Sequence, residues 1–161
     1  MPSAIVTGVT GQDGAYLSEH LLNLGYEVIG LARPVSNPST HNLDRLNISD
    51  KVAIKMMDLT DKGSIERLIC KYKPSKLFNL AAQSFVSASF DCPAVTADIN
   101  SMGVLRLLES IRNFSPETKF YQASTSEMFG RVQEVPQNEN TPFYPRSPYG
   151  VSKLFAHWMT I

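Results

Sequence analysis

The sequence predicts an α/β fold, a doubly wound parallel sheet with helices on both faces. Three observations carry this prediction. Apolar runs of strand length alternate with segments of helical period, the pattern of βαβ units. The strand-like runs are continuously apolar rather than alternating, as in a sheet covered on both sides. The first run passes through a glycine-rich turn directly into a helix.

Taken in order, Ala4-Ile5-Val6 reads as a buried first strand. Residues 15–24 read as a helix, with Leu17, Leu21 and Leu24 on one face and Gly25 beyond its end. Residues 27–31 form the second strand. Residues 32–51 are rich in Pro, Ser and Asn and are expected as a loop or a short irregular helix; loops of that length are usually functional. A third strand over 52–57 precedes a helix over 64–72. A fourth strand over 76–80 precedes one long helix over 94–114. The fifth strand covers 119–123, and a last helix starts at Pro148 or Tyr149 and runs to the chain end.

The 161 residues suffice for one domain with a real core, expected to span 1–161. Lys and Arg number 15, matching 15 Asp and Glu, and they are scattered singly. A nucleic-acid binder would carry a basic stripe to neutralise phosphates, so that role and a membrane-surface role are not expected. Cys70 and Cys92 make no CxxC pair and no metal-ligand spacing with His20, His41 or His157. No metal is expected, and both thiols read as free in a reducing compartment. The start MPSAIVTG is too quickly broken by glycine for a signal peptide, and no apolar run reaches membrane-spanning length. A cytoplasmic protein is expected.

After the first strand comes Thr7-Gly8-Val9-Thr10-Gly11-Gln12-Asp13-Gly14, a GxxGxxG arrangement. One glycine makes the tight turn, one admits a pyrophosphate close to the backbone, and one lets helix pack on strand. The following helix start offers free N–H groups and a positive dipole end. Gly8, Thr10, Gly11, Gln12, Asp13 and Gly14 are therefore candidate residues for a dinucleotide in a Rossmann-type site. At the end of the second strand stands Leu31-Ala32-Arg33, with no acid for a ribose 2′-hydroxyl. A guanidinium suits a 2′-phosphate, so Arg33 points to NADP. Asp58-Leu59 after the third strand is a candidate for the adenine edge; the other reading is that Asp58 caps the next helix.

Tyr149 and Lys153 are spaced i, i+4 in a helix that Ser147-Pro148 would start, which places both on one face. A tyrosine, with an ordinary pKa of about 10, becomes a useful base when a nearby ammonium favours its phenolate. The fifth strand ends in Gln122-Ala123-Ser124-Thr125-Ser126-Glu127, which brings a hydroxyl and a carboxylate to the carboxyl edge of the sheet where such folds do chemistry. The structural alternative is a helix cap by Ser124 or Thr125 with Glu127 as its partner.

The segments TGVTGQDG, NLAAQSFV, YQASTSEMFG and TPFYPRSPYGVSK resemble the extended short-chain dehydrogenases that act on nucleotide sugars, and among them the GDP-mannose 4,6-dehydratases. The resemblance covers nearly the whole chain. It implies that Thr125 orients the sugar O4 hydroxyl, Tyr149 is the C4 base, Lys153 supports Tyr149 and the ribose, and Glu127 removes the C5 proton. It also implies that Leu80, Ala81 and Ala82 line the cofactor and that Ser84 and Ser126 meet the substrate, GDP-mannose. Related dTDP-glucose dehydratases have Asp where this chain has Ser126. The family further implies a homo-oligomer, tetramer or dimer, in which the loop after Arg33 reaches a neighbour. It continues past the helix carrying Tyr149 and Lys153 into a substrate-gripping region, so this chain is expected to be an incomplete Rossmann domain. Two other functions compete: a reductase or epimerase on the same scaffold, needing no C5 base, and a non-catalytic NADP-binding module.

Overall fold

The computed structural model describes residues 1–36 and 39–161; residues 37 and 38 of the predicted loop lie outside the described residues. Five strands, β1 (Ser3–Thr7), β2 (Glu27–Ala32), β3 (Ala53–Met56), β4 (Lys76–Asn79) and β5 (Lys119–Gln122), form one sheet in the order β3-β2-β1-β4-β5. The pairs β1–β2, β1–β4 and β2–β3 are parallel. The order reverses at β1: the chain first moves outward to β2 and β3, then returns to β4 on the other side. In open sheets of this kind ligands settle at such a switch, beyond the carboxyl ends of the strands.

The chain forms two compact units, Met1–Ala81 with Arg106–Tyr121, and Ala82–Leu105 with Gln122–Ile161. In the first unit, α1 (Gln12–Asn23), the short α2 (His41–Arg45) and α3 (Lys62–Tyr72) connect the strands. Its core joins Ala4, Val6, Val9, Ala15, Leu21, Val28, Leu43, Ile48 and Val52. Leu43 and Ile48 come from the stretch expected as a loop or a short irregular helix, and α2 is that helix. Leu43 is fully buried, which explains why five residues of α2 hold a helical turn there: packing, not propensity, supports so short a helix.

In the second unit, α4 (Ala88–Asp91) and α5 (Pro93–Ala97) lead through a π-helical turn, Asp98–Met102, into the start of α6 (Gly103–Phe114), which from Arg106 on belongs to the first unit. The last helix, α7 (Pro148–Thr160), packs on α4, α5, the π turn and a one-turn 3₁₀ helix at Ser126–Met128. Ser147 caps α7 by accepting from Gly150 N at 3.0 Å, with Pro148 in the first turn as expected. The long helix expected over 94–114 is present as one unbroken helical run over 93–114, with the π turn in its middle. Asn100 lies in this turn, and its side chain bonds both backbone groups of Gln83.

Among the described residues, no helix is long and apolar enough to cross a membrane. Cys70 is exposed and Cys92 half-buried, and neither forms a disulfide.

Candidate functional site

The first unit holds the glycine-rich turn. Gly8 has φ of +68°, and a Cβ there would lie 3.1 Å from Ala81 N. A Cβ on Gly14 would come within 2.3 Å of Gly8 O and 2.7 Å of Val9 Cα. Only glycine lets the turn fold this tightly. Gly11 N donates to Gly8 O at 3.0 Å, and α1 starts with Gly11 as its cap and no side chain satisfying its first N–H groups. A helix start left open in this way, lined by backbone alone, fits a pyrophosphate. Thr10, Gln12 and Asp13 flank it, and Asn42 of α2 secures it by donating to Thr10 O at 2.9 Å.

The strand ends beside this turn are joined by one hydroxyl. Thr7 Oγ1 donates to Asn79 Oδ1 at 2.6 Å and accepts from Leu80 N at 3.1 Å and Ala81 N at 3.0 Å. Thr7 and Asn79 are both fully buried. They set the position of Leu80 and Ala81, and sequence reasoning missed both. A polar residue at the end of each of two apolar strands was the available signal.

Arg33 is exposed just past β2. Asp58 is half-buried; its carboxylate accepts from Thr60 N at 2.8 Å and Thr60 Oγ1 at 2.7 Å. These bonds, more than the nearby charges of Arg33 and Arg106, hold its pKa below the ordinary value. The reading of Asp58 as the helix cap is corrected: Asp61 caps α3, accepting from Ser64 N at 3.2 Å. Asp58 ends β3's exit in its own turn instead, while Leu59 is buried and its carbonyl accepts from Arg106 Nη1 at 3.1 Å.

The second unit gathers the residues singled out for proton transfer. Tyr149 and Lys153 are both buried on α7, at 8% and 4% exposure. Lys153 Nζ donates to Ala123 O at 2.5 Å. Burial lowers its pKa from 10.5 to about 8, which leaves it mostly protonated at neutral pH. Thr125 Oγ1 accepts from Glu127 N at 3.2 Å, so the predicted cap by Thr125 exists, but it closes only the 3₁₀ turn. Ser124 does not cap; its hydroxyl lies against His157. Glu127 is half-buried and Ser126 exposed.

Two glycines fix the Glu127 turn. A Cβ on Gly150, next to Tyr149, would come within 2.7 Å of Glu127 O. Gly130 has φ of +47°, and a Cβ there would sit 2.1 Å from Tyr144 O. The chain after Glu127 thus crosses the segment leading to Tyr149 at contact distance. Glu134 serves elsewhere: its carboxylate accepts from Asn138 Nδ2 at 3.2 Å and from Thr141 Oγ1, closing an exposed loop.

Asn100 ties this unit together, and sequence reasoning missed it as well. It is 2% exposed, accepts from Gln83 N at 2.8 Å, and donates to Gln83 O at 2.9 Å and Ser152 Oγ at 3.3 Å. Ser101 Oγ adds a bond to Ser152 O at 3.1 Å. Ala82 is half-buried and Ser84 exposed on either side of the clamped Gln83. The signal was a lone Asn at a core position of an otherwise amphipathic helix.

Comparison with known proteins identifies the family. The family described as GDP-mannose 4,6 dehydratase matches residues 5–161. A GDP-mannose 4,6-dehydratase of Yersinia enterocolitica is 47% identical over 168 residues, covering 100% of this chain and 45% of that protein. The GDP-mannose 4,6 dehydratase of Homo sapiens is 46% identical over 166 residues, covering 98% of this chain and 45% of that protein. The solved UDP-glucose 4-epimerase of Thermus thermophilus, a complex with NAD, superposes with a TM-score of 0.83 at 32% identity, over 98% of this chain and 50% of that one. The chain thus spans about half the length of the proteins it matches. It belongs to the GDP-mannose 4,6-dehydratase family.

Proposed function

We propose that this chain is the nucleotide-binding part of an enzyme that converts GDP-mannose to GDP-4-keto-6-deoxy-mannose with NADP. The observation that carries the reading is the close packing of the Glu127 turn on α7 at Gly150, one residue from Tyr149 and one helical turn from Lys153. It brings a carboxylate-bearing turn onto a helix that offers a phenol and a buried ammonium.

In this reading the backbone N–H groups at the start of α1 hold the pyrophosphate, and Arg33 holds the 2′-phosphate. Leu80, Ala81 and Ala82 line the cofactor, and Asp58 meets the adenine edge. The bound nicotinamide nucleotide supplies the reversible two-electron exchange that oxidises C4 and later reduces C6. Tyr149 takes the O4 proton, helped by the positive charge of Lys153, while Thr125 orients that hydroxyl. The new ketone acidifies C5–H, and Glu127 removes that proton as water leaves from C6. Ser84 and Ser126 are assigned to the sugar. Net oxidation is zero, so the reaction is a lyase reaction with a recycled cofactor.

The NAD complex of the solved epimerase supports a nicotinamide nucleotide here. An epimerase or reductase would need no base for C5, and Glu127 favours the dehydratase. The experiment is Glu127→Gln in the full-length protein, which keeps the shape and removes the base. The variant is expected to bind NADP and GDP-mannose, oxidise C4, and stall, with NADPH absorbance but no 4-keto-6-deoxy product and no solvent deuterium at C5. Normal product with full deuterium incorporation would reduce Glu127 to a structural residue and undo the assignment.

A further inference from the structure

Along α7, Tyr149, Lys153 and His157 follow at four-residue steps, so all three lie along one face of the helix. The last two grip consecutive residues after β5. Lys153 Nζ donates to Ala123 O at 2.5 Å, and His157 Nδ1 lies 3.3 Å from Ser124 Oγ. Thr125 comes next, in extended backbone at φ −157° and ψ 149°.

The imidazole is held in place. It stands edge-on to Phe143 at 5.3 Å between centroids and to Trp158 at 5.4 Å. Phe143 in turn packs at 5.0 Å on Phe129, from the segment just past the Glu127 turn. Rings from three segments therefore aim Nδ1 at Ser124; which atom donates depends on the tautomer. Ser124 itself is exposed, so water could satisfy its hydroxyl, and burial does not account for the contact.

We propose that His157 is a positioning residue for the reaction: it anchors Ser124 and thereby fixes the neighbouring Thr125, which orients the sugar hydroxyl. This rests on the dehydratase reading above. The physical case is one of backbone freedom. Lys153 pins the carbonyl of Ala123, and without a second anchor the Ser124 peptide planes could still turn. His157 supplies that anchor one helical turn further on. Small misplacements at a reacting centre are costly in rate, because the bound geometry must already be close to that of the transition state.

The test is a double-mutant cycle in the full-length protein, with His157→Ala, Ser124→Ala and the pair together, plus His157→Asn, whose amide nitrogen can take the place of Nδ1. Each single variant is expected to lower kcat roughly three- to tenfold, the worth of one modest hydrogen bond. KM for NADP and the unfolding temperature should stay near wild type. The double variant should lose no more than either single one, and His157→Asn should recover most of the rate. Additive losses, a fully active His157→Ala, or rate losses that track the unfolding temperature overturn the inference while leaving the dehydratase reading intact. A wild-type protein that makes no 4-keto-6-deoxy product overturns both.

Discussion

Lys153 buries its ammonium and donates to the carbonyl oxygen of Ala123 at 2.5 Å, so a cation from α7 is fastened to the chain just beyond β5. One neutral carbonyl does not replace the lost water, and the pKa falls from 10.5 to about 8. A group that binds its proton less tightly when folded than when unfolded penalises folding wherever both states are protonated. The penalty is therefore fully present below pH 8 and relieved as pH rises from about 8 to 10.5. The shift corresponds to at most about 3 kcal/mol. Denaturant unfolding of wild type and Lys153→Met across that range should show the wild type gaining stability relative to the variant. A difference that does not change with pH would mean that the ammonium is not desolvated.

Tyr149→Phe keeps the ring and its packing on α7 and removes only the phenolic oxygen. Turnover of the full-length protein is expected to fall by about 10²–10⁴-fold, the usual contribution of a positioned acid–base group. Titration with NADP should be little changed. A loss of tenfold or less would assign the O4 proton to another group.

Arg33 is exposed past the end of β2 and has no acid beside it in sequence. Arg33→Asp is expected to move preference from NADP toward NAD, because the new carboxylate repels a 2′-phosphate and can accept from a 2′-hydroxyl. Parallel binding titrations with the two dinucleotides check this; an unchanged affinity ratio would remove Arg33 from the 2′-phosphate site.

Asn100→Ala leaves Gln83 N, Gln83 O and Ser152 Oγ without the partner that now serves all three. Stranding buried polar groups costs about 1–3 kcal/mol each where water cannot replace the partner. The unfolding temperature should drop by several degrees at least, roughly 2–8 °C per kcal/mol for a domain of this size range. Asn100→Asp, which retains the acceptor for Gln83 N, should be milder in its effect on that one bond but lose both donations. Wild-type stability in Asn100→Ala would mean that the π turn is held by packing alone.

The strand-turn-helix start, the alternation of strands and helices, and the Tyr149/Lys153 face were all legible in the sequence, because each depends on neighbours within a turn or two. Glycine spacing, helical period and the Ser147-Pro148 cap are local chemistry, and local chemistry survives being read one residue at a time. The relations that only tertiary structure decided join residues far apart along the chain. Thr7 meets Asn79 because β1 and β4 are adjacent strands, although 72 positions separate them. Asn100 meets Gln83 and Ser152 from within a π turn, and no pattern in the helix announces where that turn will occur. Asp61 rather than Asp58 became the cap because Asp58 commits its carboxylate to Thr60, a choice between two nearby acids that sequence leaves open. Composition left residues 32–51 open between a loop and a short helix; the short α2 stands there with one side chain, Leu43, fully buried. Apart from that choice between neighbouring acids, the deciding contribution is a buried contact made by a distant segment, and its partner is fixed only once the sheet has formed.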